Sequence, residues 1–239
     1  MKSPAVRLTD VFRWPLKLIP SNAQMRVLRG PLRGMKWIKG AGPNAYWVGT
    51  YEVQRVQAFA AALFPGATVY DIGANVGIYT LLASRLSGPK GMVYAFEPLP
   101  RNVKFLRRHV ALNHLQNCTV IESAVGNCVG SRRFSAENWE ASMAHLAADG
   151  EMVVPMTTLD TCIYGEHRLR RPDVLKIDVE GAELEVLEGA HRAITEFHPK
   201  IFLEIHGTQL HVDCCAILKA QGYAIEEGYG QLTATWTAK

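Results

Sequence analysis

The sequence predicts an α/β protein, a doubly wound and mostly parallel Rossmann-like sheet preceded by an N-terminal segment of different character. Three observations lead there. From residue 50 onward, short apolar runs alternate with stretches of helical length, the pattern of strands and crossover helices. The runs TVYDI (68–72), MVYAFE (92–97), VLKIDV (174–179) and IFLEIH (201–206) are almost continuously apolar, as strands covered on both faces must be. The chain has 239 residues, 48% of them hydrophobic and 20% charged, which suits one such domain with an added segment.

The elements follow in order. Residues 1–50 are rich in turn formers (Pro15, Pro20, Gly30, Pro31, Gly34, Gly40, Gly42, Pro43) and read as a loose cap with short strands; residues 51–239 read as the main domain. A helix over 51–64 ends at Pro65-Gly66 and leads to strand 68–72. A helix over 77–87 leads to strand 92–97, and a helix over 99–113 to strand 119–123. A polar interval with edge strands precedes strand 174–179. Helix 182–197, ended by His198-Pro199, leads to strand 201–206, helix 208–220 and the closing segments YAIEE and LTATW. In such sheets ligands bind outside the carboxyl ends of the strands, so the informative residues belong there.

Composition excludes several classes. No run approaches the ~18 apolar residues of a membrane span, and VFRWPLKLIP (11–20) is broken by Arg13, Pro15 and Lys17, a poor signal-peptide core. The expectation is a cytoplasmic protein. Five cysteines (118, 128, 162, 214, 215) with no Cys-x-x-Cys pair argue against a zinc site and a disulfide framework. Residues 1–50 hold nine Lys and Arg against one acid, Asp10, whereas the remainder is net acidic. No dense basic cluster appears, so a solvated surface explains this split better than an anionic partner.

After the first buried strand the chain reads Asp71-Ile72-Gly73-Ala74-Asn75-Val76-Gly77. Gly73 and Gly77 permit a tight turn and close approach of backbone to a ligand, and the next helix presents free N–H groups and a positive dipole end. Glu97 ends the second strand, where an acid can accept hydrogen bonds from both hydroxyls of a ribose. Together these features indicate a nucleoside cofactor. A dinucleotide fingerprint needs glycine at 73, 75 and 78, but Asn75 and Ile78 stand there. Asp71 sets a negative charge where a pyrophosphate would lie, and a carboxylate suits the cationic end of S-adenosylmethionine better.

With these pieces the chain resembles the FkbM family of S-adenosylmethionine-dependent methyltransferases. The matching blocks are Gly49-Thr50-Tyr51-Glu52, VYDIGANVGIYTLLAS (69–84), AFEPLPRNVKFLRRHVALN (95–113), ESAVGN (122–127), TTLDT (157–161), DVLKIDVEGAELEVLEGA (173–190) and PKIFLEIHG (199–207). The resemblance implies methyl transfer to a hydroxyl of a sugar, glycan or polyketide-like acceptor. By motif position it implies that Asp71, Gly73, Ala74, Asn75 and Gly77 line the methionine part and that Glu97 meets the ribose. Ser123, Ala124 and Val125 would lie beside the adenine, and Tyr51 and Glu52 would cover the cofactor from the N-terminal side.

Methyl transfer from a sulfonium requires an aligned acceptor oxygen and removal of its proton. Period-two alternation places Lys176 and Asp178 on one strand face, with Glu180 at the entry to the next helix, and Glu204 and His206 on one face of the neighbouring strand. These five are the candidate catalytic residues. Each has a plainer use. Asp178 or Glu180 suits a helix N-terminus, Lys176 suits an ion pair with Glu204 or Asp71, and His206 suits a satisfied strand-end position; Glu183 and Glu185 read as surface acids, with Glu183 also able to face the cleft. Asp178, Glu180, Glu204 and His206 also have the donor atoms for a magnesium-like cation, though sequence does not show that they converge. Two other readings are a nicotinamide-dependent oxidoreductase, opposed by Asn75, and a non-catalytic cofactor-binding module, opposed by the polar strand ends. Nucleic-acid methylation lacks both an Asn-Pro-Pro-Tyr-like motif and a basic-aromatic patch.

Overall fold

The computed structural model describes residues 18–135, 145–146, 152–166 and 168–237. The basic positions Lys2, Arg7, Arg13 and Lys17 and most of the run 11–20 lie outside them. Near the start, β1 (Gln24–Arg26) and β2 (Lys36–Ile38) pair antiparallel. Helices α1 (Ala45–Val48) and α2 (Val53–Ala61) follow. The main alternation then runs β3 (Thr68–Ile72), α3 (Ile78–Ser87), β4 (Met92–Phe96), α4 (Pro100–Leu112) and β5 (Cys118–Ile121). It resumes with β10 (Val174–Ile177), α6 (Glu183–Gly189), α7 (His191–Phe197), β11 (Lys200–Leu203), α8 (Thr208–Ala220), β12 (Tyr223–Gly228) and β13 (Gln231–Trp236).

These strands make one seven-stranded sheet in the order β12-β13-β11-β10-β3-β4-β5. β11, β10, β3, β4 and β5 are parallel, and β13 inserts antiparallel against β11. The chain winds outward from β3 through β4 to β5, then returns to β10 and winds the other way. The strand order therefore reverses between β3 and β10, where crossover loops part and leave a crevice. Register puts Lys176 opposite Asp71 and Ile177 opposite Ile72, so both strands end at one level.

The apolar runs form strands because both faces are covered. On one side Tyr70, Ile72, Phe96, Leu175, Ile177 and Leu203 pack under α6, α7 and α8. On the other, Val69, Val93 and Phe202 meet Leu81 and Leu82 of α3, Phe59 of α2, and Trp37 and Ile38 of the N-terminal hairpin. The described part of the N-terminal segment is thus core on this face rather than a loose cover. Trp37 stacks on His109 of α4 with ring centroids 3.9 Å apart. The Ile38 N–H donates to His109 Nε2 at 3.0 Å, and Nδ1 lies 2.8 Å from the Val76 carbonyl. Since a backbone N–H can only donate, His109 is neutral with its proton on Nδ1.

The structure corrects the sequence reading in three places. The polar interval builds a separate small sheet in the order β6-β9-β7-β8: β6 (Ala124–Val125), β7 (Gly130–Ser135), β8 (His145–Leu146) and β9 (Met152–Thr157). It is followed by α5 (Leu159–Tyr164). The helix expected over 182–197 is two helices that meet at Ala190. Gly189 is required there because a Cβ would sit 1.9 Å from the Gly126 carbonyl oxygen. The fourth and fifth long strands stop at Ile177 and Leu203, so alternation does not govern Asp178, Glu204 or His206.

Candidate active site

The crevice opens on a cavity of about 680 Å³ bounded by the turn after β3, the ends of β4 and β10, and the small sheet. Its walls include Gly73, Asn75, Glu97, Ser123, Ala124, Val125, Phe134, Met156, Asp178 and Glu180. The turn is forced by close packing. Gly73 has φ +74, and a Cβ there would lie 1.8 Å from the Asp178 carbonyl oxygen, so only glycine lets the ends of β3 and β10 touch. The Gly73 and Ala74 N–H groups both donate to the Phe96 carbonyl, at 3.0 and 2.9 Å.

Glu97 is buried at the cavity wall. Its Oε2 accepts the Asn75 N–H at 2.8 Å, and its Oε1 accepts the Leu99 N–H at 3.0 Å and Asn102 Nδ2–H at 3.2 Å. Burial raises its pKa, and these three donors oppose the rise. Each oxygen has two acceptor sites, so Oε2 retains capacity toward the cavity. Ser123, Ala124 and Val125 line the same space, with Phe134 and Met156 of the small sheet.

A smaller hollow of about 310 Å³ lies on the other side of the turn, walled by Tyr46, Tyr51, Gly73, Ala74, Asn75, Gly77, Lys176 and Asp178. Tyr51 packs edge-on against Tyr46 at 4.5 Å. Two expected wall residues are absent from it. Glu52 turns away, accepting the Tyr79 hydroxyl at 2.9 Å and pairing with Arg55 at 3.2 Å. Asp71 is wholly buried beneath the turn, where it accepts Thr80 Oγ1–H at 2.5 Å and faces Lys176 Nζ at 3.5 Å. Asp71 points inward because its strand neighbour supplies the countercharge.

Lys176 is an internal strut rather than a free base. Its Nζ donates to the Gly73 carbonyl at 3.0 Å and lies 3.4 Å from Asp178 Oδ2. Burial alone would lower its pKa, but Asp178 and Asp71 push it up to about 12, so it stays charged.

Beyond the strand ends the acids and histidine sort into two groups. Glu204 leaves His206 and pairs with Arg55 at 2.6 Å, and Arg55 also reaches the Tyr229 and Gly230 carbonyls. His206 turns the other way. Its Nδ1 is 2.8 Å from Glu183 Oε1 and its Nε2 is 3.4 Å from Glu180 Oε2. Burial lowers its pKa, but the hydrogen bond to Glu183 and the charge of Glu180 outweigh that and raise it. Asp178, Glu180 and His206 offer ligand atoms within 4.8 Å of one another. The expected four-residue set is therefore a three-residue one. The expectation that Glu204 and His206 share a face fails because β11 has already ended.

Glu183, a surface acid or a cleft-facing one by sequence, is fully buried, and sequence reasoning missed Arg55, Phe134 and Met156. Glu185 pairs with Arg132 at 2.9 Å. Only Glu183 had a local signal, being three residues past Glu180 on the first turn of a helix that starts at the crevice.

Comparison with known proteins agrees with this architecture. The family model for the methyltransferase FkbM domain matches residues 71–225, well over half of the chain. The 31-O-demethyl-FK506 methyltransferase FkbM of Streptomyces tacrolimicus is 26% identical over 196 residues, covering 68% of this chain and 75% of that protein. The hexuronic acid methyltransferase AglP of Haloferax volcanii is 29% identical over 141 residues, 58% of this chain and 55% of the relative. The crystal structure of methyltransferase FkbM from Methylobacillus flagellatus superimposes with a TM-score of 0.53 at 20% identity, over 82% of this chain and 56% of that one. This chain thus spans little more than half of the latter two proteins. It belongs to the FkbM family of S-adenosylmethionine-dependent methyltransferases.

Proposed function

We propose that the protein is an O-methyltransferase that passes the methyl group of S-adenosylmethionine to a hydroxyl of a carbohydrate, glycan or polyketide-like acceptor. The observation that carries this reading is the cluster of Asp178, Glu180 and His206 beside the cofactor cavity. A neutral hydroxyl is a poor nucleophile, and a carboxylate–imidazole group at the transfer point supplies what it lacks. Glu97 holds the ribose, and Ser123, Ala124 and Val125 form the adenine wall with Phe134 and Met156 opposite. The methionine end runs past Gly73 into the hollow beneath Tyr51. Gly77 and Ala74 border that hollow with Asn75.

The acceptor enters beside Asp178, and its proton leaves through the cluster. Lys176 positions this group through Asp178, whereas Glu204 is held by Arg55. Two relatives are named for a 31-O position and for a hexuronic acid, which supports a hydroxyl-bearing small molecule or glycan over a nucleic acid. From the N-terminal segment, Tyr46 lines the methionine hollow. No described helix is long and apolar enough to cross a membrane.

A labelled-methyl screen tests the proposal. Pools of uronic-acid glycosides and of polyketide alcohols are incubated with methyl-labelled cofactor, and products are read by mass. Label in one of these pools, absent without enzyme, is the expected result. Label only in nucleic acid or protein pools would contradict it.

A further inference from the structure

We infer that Asp178, Glu180 and His206 form the seat of a divalent cation through which the acceptor oxygen binds. The role given to this ion rests on the methyl-transfer reading above. One oxygen of each acid and one imidazole nitrogen lie within 4.8 Å of one another. An ion with bonds of about 2.0–2.6 Å spans such a group. Two carboxylates and one imidazole on one side leave the opposite positions open for substrate.

The support behind the histidine is a second, independent observation. Glu183 is fully buried, and its Oε1 takes the Nδ1 side of His206 at 2.8 Å and the Gly181 N–H at 2.9 Å. That fixes Nε2 as the nitrogen facing Glu180 and Asp178. A carboxylate behind an imidazole is how proteins orient a metal-binding histidine. Glu183 Oε2 is buried with no hydrogen-bond partner, an arrangement that a positive centre across the imidazole would offset.

Charge points the same way. Asp178, Glu180, Glu183 and Glu204 crowd this end of the sheet, and the two nearest cations, Lys176 and Arg55, reach Asp178 and Glu204 but neither Glu180 nor Glu183. Lys176 divides its charge among Asp71, Asp178 and the Gly73 carbonyl, and Arg55 among Glu52, Glu204 and two carbonyls. Among the described residues, Glu180 has no ion-pair partner besides His206. The mixed oxygen and nitrogen donors suit manganese(II) better than magnesium(II).

The ion acts on the acceptor as a Lewis acid. A coordinated hydroxyl becomes acidic and releases its proton to water through the partly open side of the cluster. The oxygen then forms its bond to the methyl carbon as the carbon–sulfur bond breaks. The products are the methyl ether, neutral S-adenosylhomocysteine and one proton.

His211, Cys215 and Glu227 also lie within 4.8 Å of one another, but Glu227 is exposed and His211 partly so. They provide an internal control. Manganese(II) is titrated into the full chain with S-adenosylhomocysteine present, and the free ion is read by electron paramagnetic resonance. One ion per chain is expected, with affinity lowered about 10–100-fold or more in Asp178→Asn and His206→Gln and unchanged in His211→Ala. Glu180→Gln, in a partly exposed turn, gives the same reading if either of the other variants fails to fold. Full affinity in the folded cluster variants, or loss in His211→Ala alone, would overturn the site. Chelated protein that binds S-adenosylhomocysteine but takes up no manganese overturns the cation and leaves methyl transfer standing. Failure to bind S-adenosylhomocysteine overturns methyl transfer itself.

Discussion

The Glu97 carboxylate accepts the Asn75 N–H at 2.8 Å, so the acid that ends β4 also holds the turn that ends β3. Cofactor contact and turn geometry are one structure here. Glu97→Ala is expected to weaken S-adenosylhomocysteine binding by about 1.5–3 kcal/mol, the scale of a charged hydrogen bond. It should also lower the melting temperature, because the Asn75 and Leu99 N–H groups lose their acceptor. Calorimetry and a thermal melt measure the two effects. Unchanged affinity in a folded variant would place the ribose elsewhere. NAD, which needs glycine where Asn75 stands, should give no binding heat.

Gly73→Ala tests the close approach of β3 and β10. A methyl group 1.8 Å from the Asp178 carbonyl oxygen must push the strand ends apart, and it also sits at a positive φ. Loss of S-adenosylhomocysteine binding with a lowered melting temperature is expected. Wild-type affinity and stability together would mean that the turn tolerates a side chain.

Lys176→Met leaves Asp71 buried without its countercharge. Breaking a buried pair on one side costs about 3–5 kcal/mol, so urea unfolding should show a loss of that order. The double variant Asp71→Asn/Lys176→Met should recover part of it. No recovery would show that Lys176 acts mainly through the Gly73 carbonyl.

His109 gives a pH dependence with a defined sign. Burial, opposed by the Val76 carbonyl, lowers its pKa from 6.5 to about 4. Between those values the unfolded chain binds a proton that the folded chain refuses. Stability is therefore fully present above pH 6.5 and falls as the pH drops toward 4, by about 3 kcal/mol from this residue. Urea unfolding from pH 7 to 4.5 measures it against His109→Gln, which should have a shallower slope. Equal slopes would mean that His109 titrates normally.

Much of this was legible in the sequence, for reasons that differ by residue. The apolar runs are long because the sheet is covered on both faces, so β3, β4, β10 and β11 were readable without the structure. Gly73, Asn75 and Glu97 sit at strand ends, where function and topology coincide. Motif position assigns Asp71 to the cofactor while charge pairs it with Lys176, and the register that sets Lys176 opposite Asp71 decides for the buried pair. Glu204 and His206 were paired by alternation, which holds only inside a strand, and β11 ends at Leu203. The small sheet carries Phe134 and Met156, on a polar β7 (GSRRFS) and on a β9 (MVVPMT) interrupted by Pro155, so neither continues the strand–helix alternation. Glu183 reads as an ordinary acid on a helix because burial is set by the neighbouring strand and by His206.

The most direct test of the account is where the methyl group goes. Cofactor carrying a carbon-13 methyl is incubated with the enzyme and the acceptor found by screening, and the product is examined by carbon–proton correlation spectroscopy. A methyl ether on an acceptor oxygen is expected, formed by the wild type and lost in Asp178→Asn and His206→Gln while both still bind S-adenosylhomocysteine. A methyl group on nitrogen or carbon, or undiminished ether formation in both variants, would contradict it.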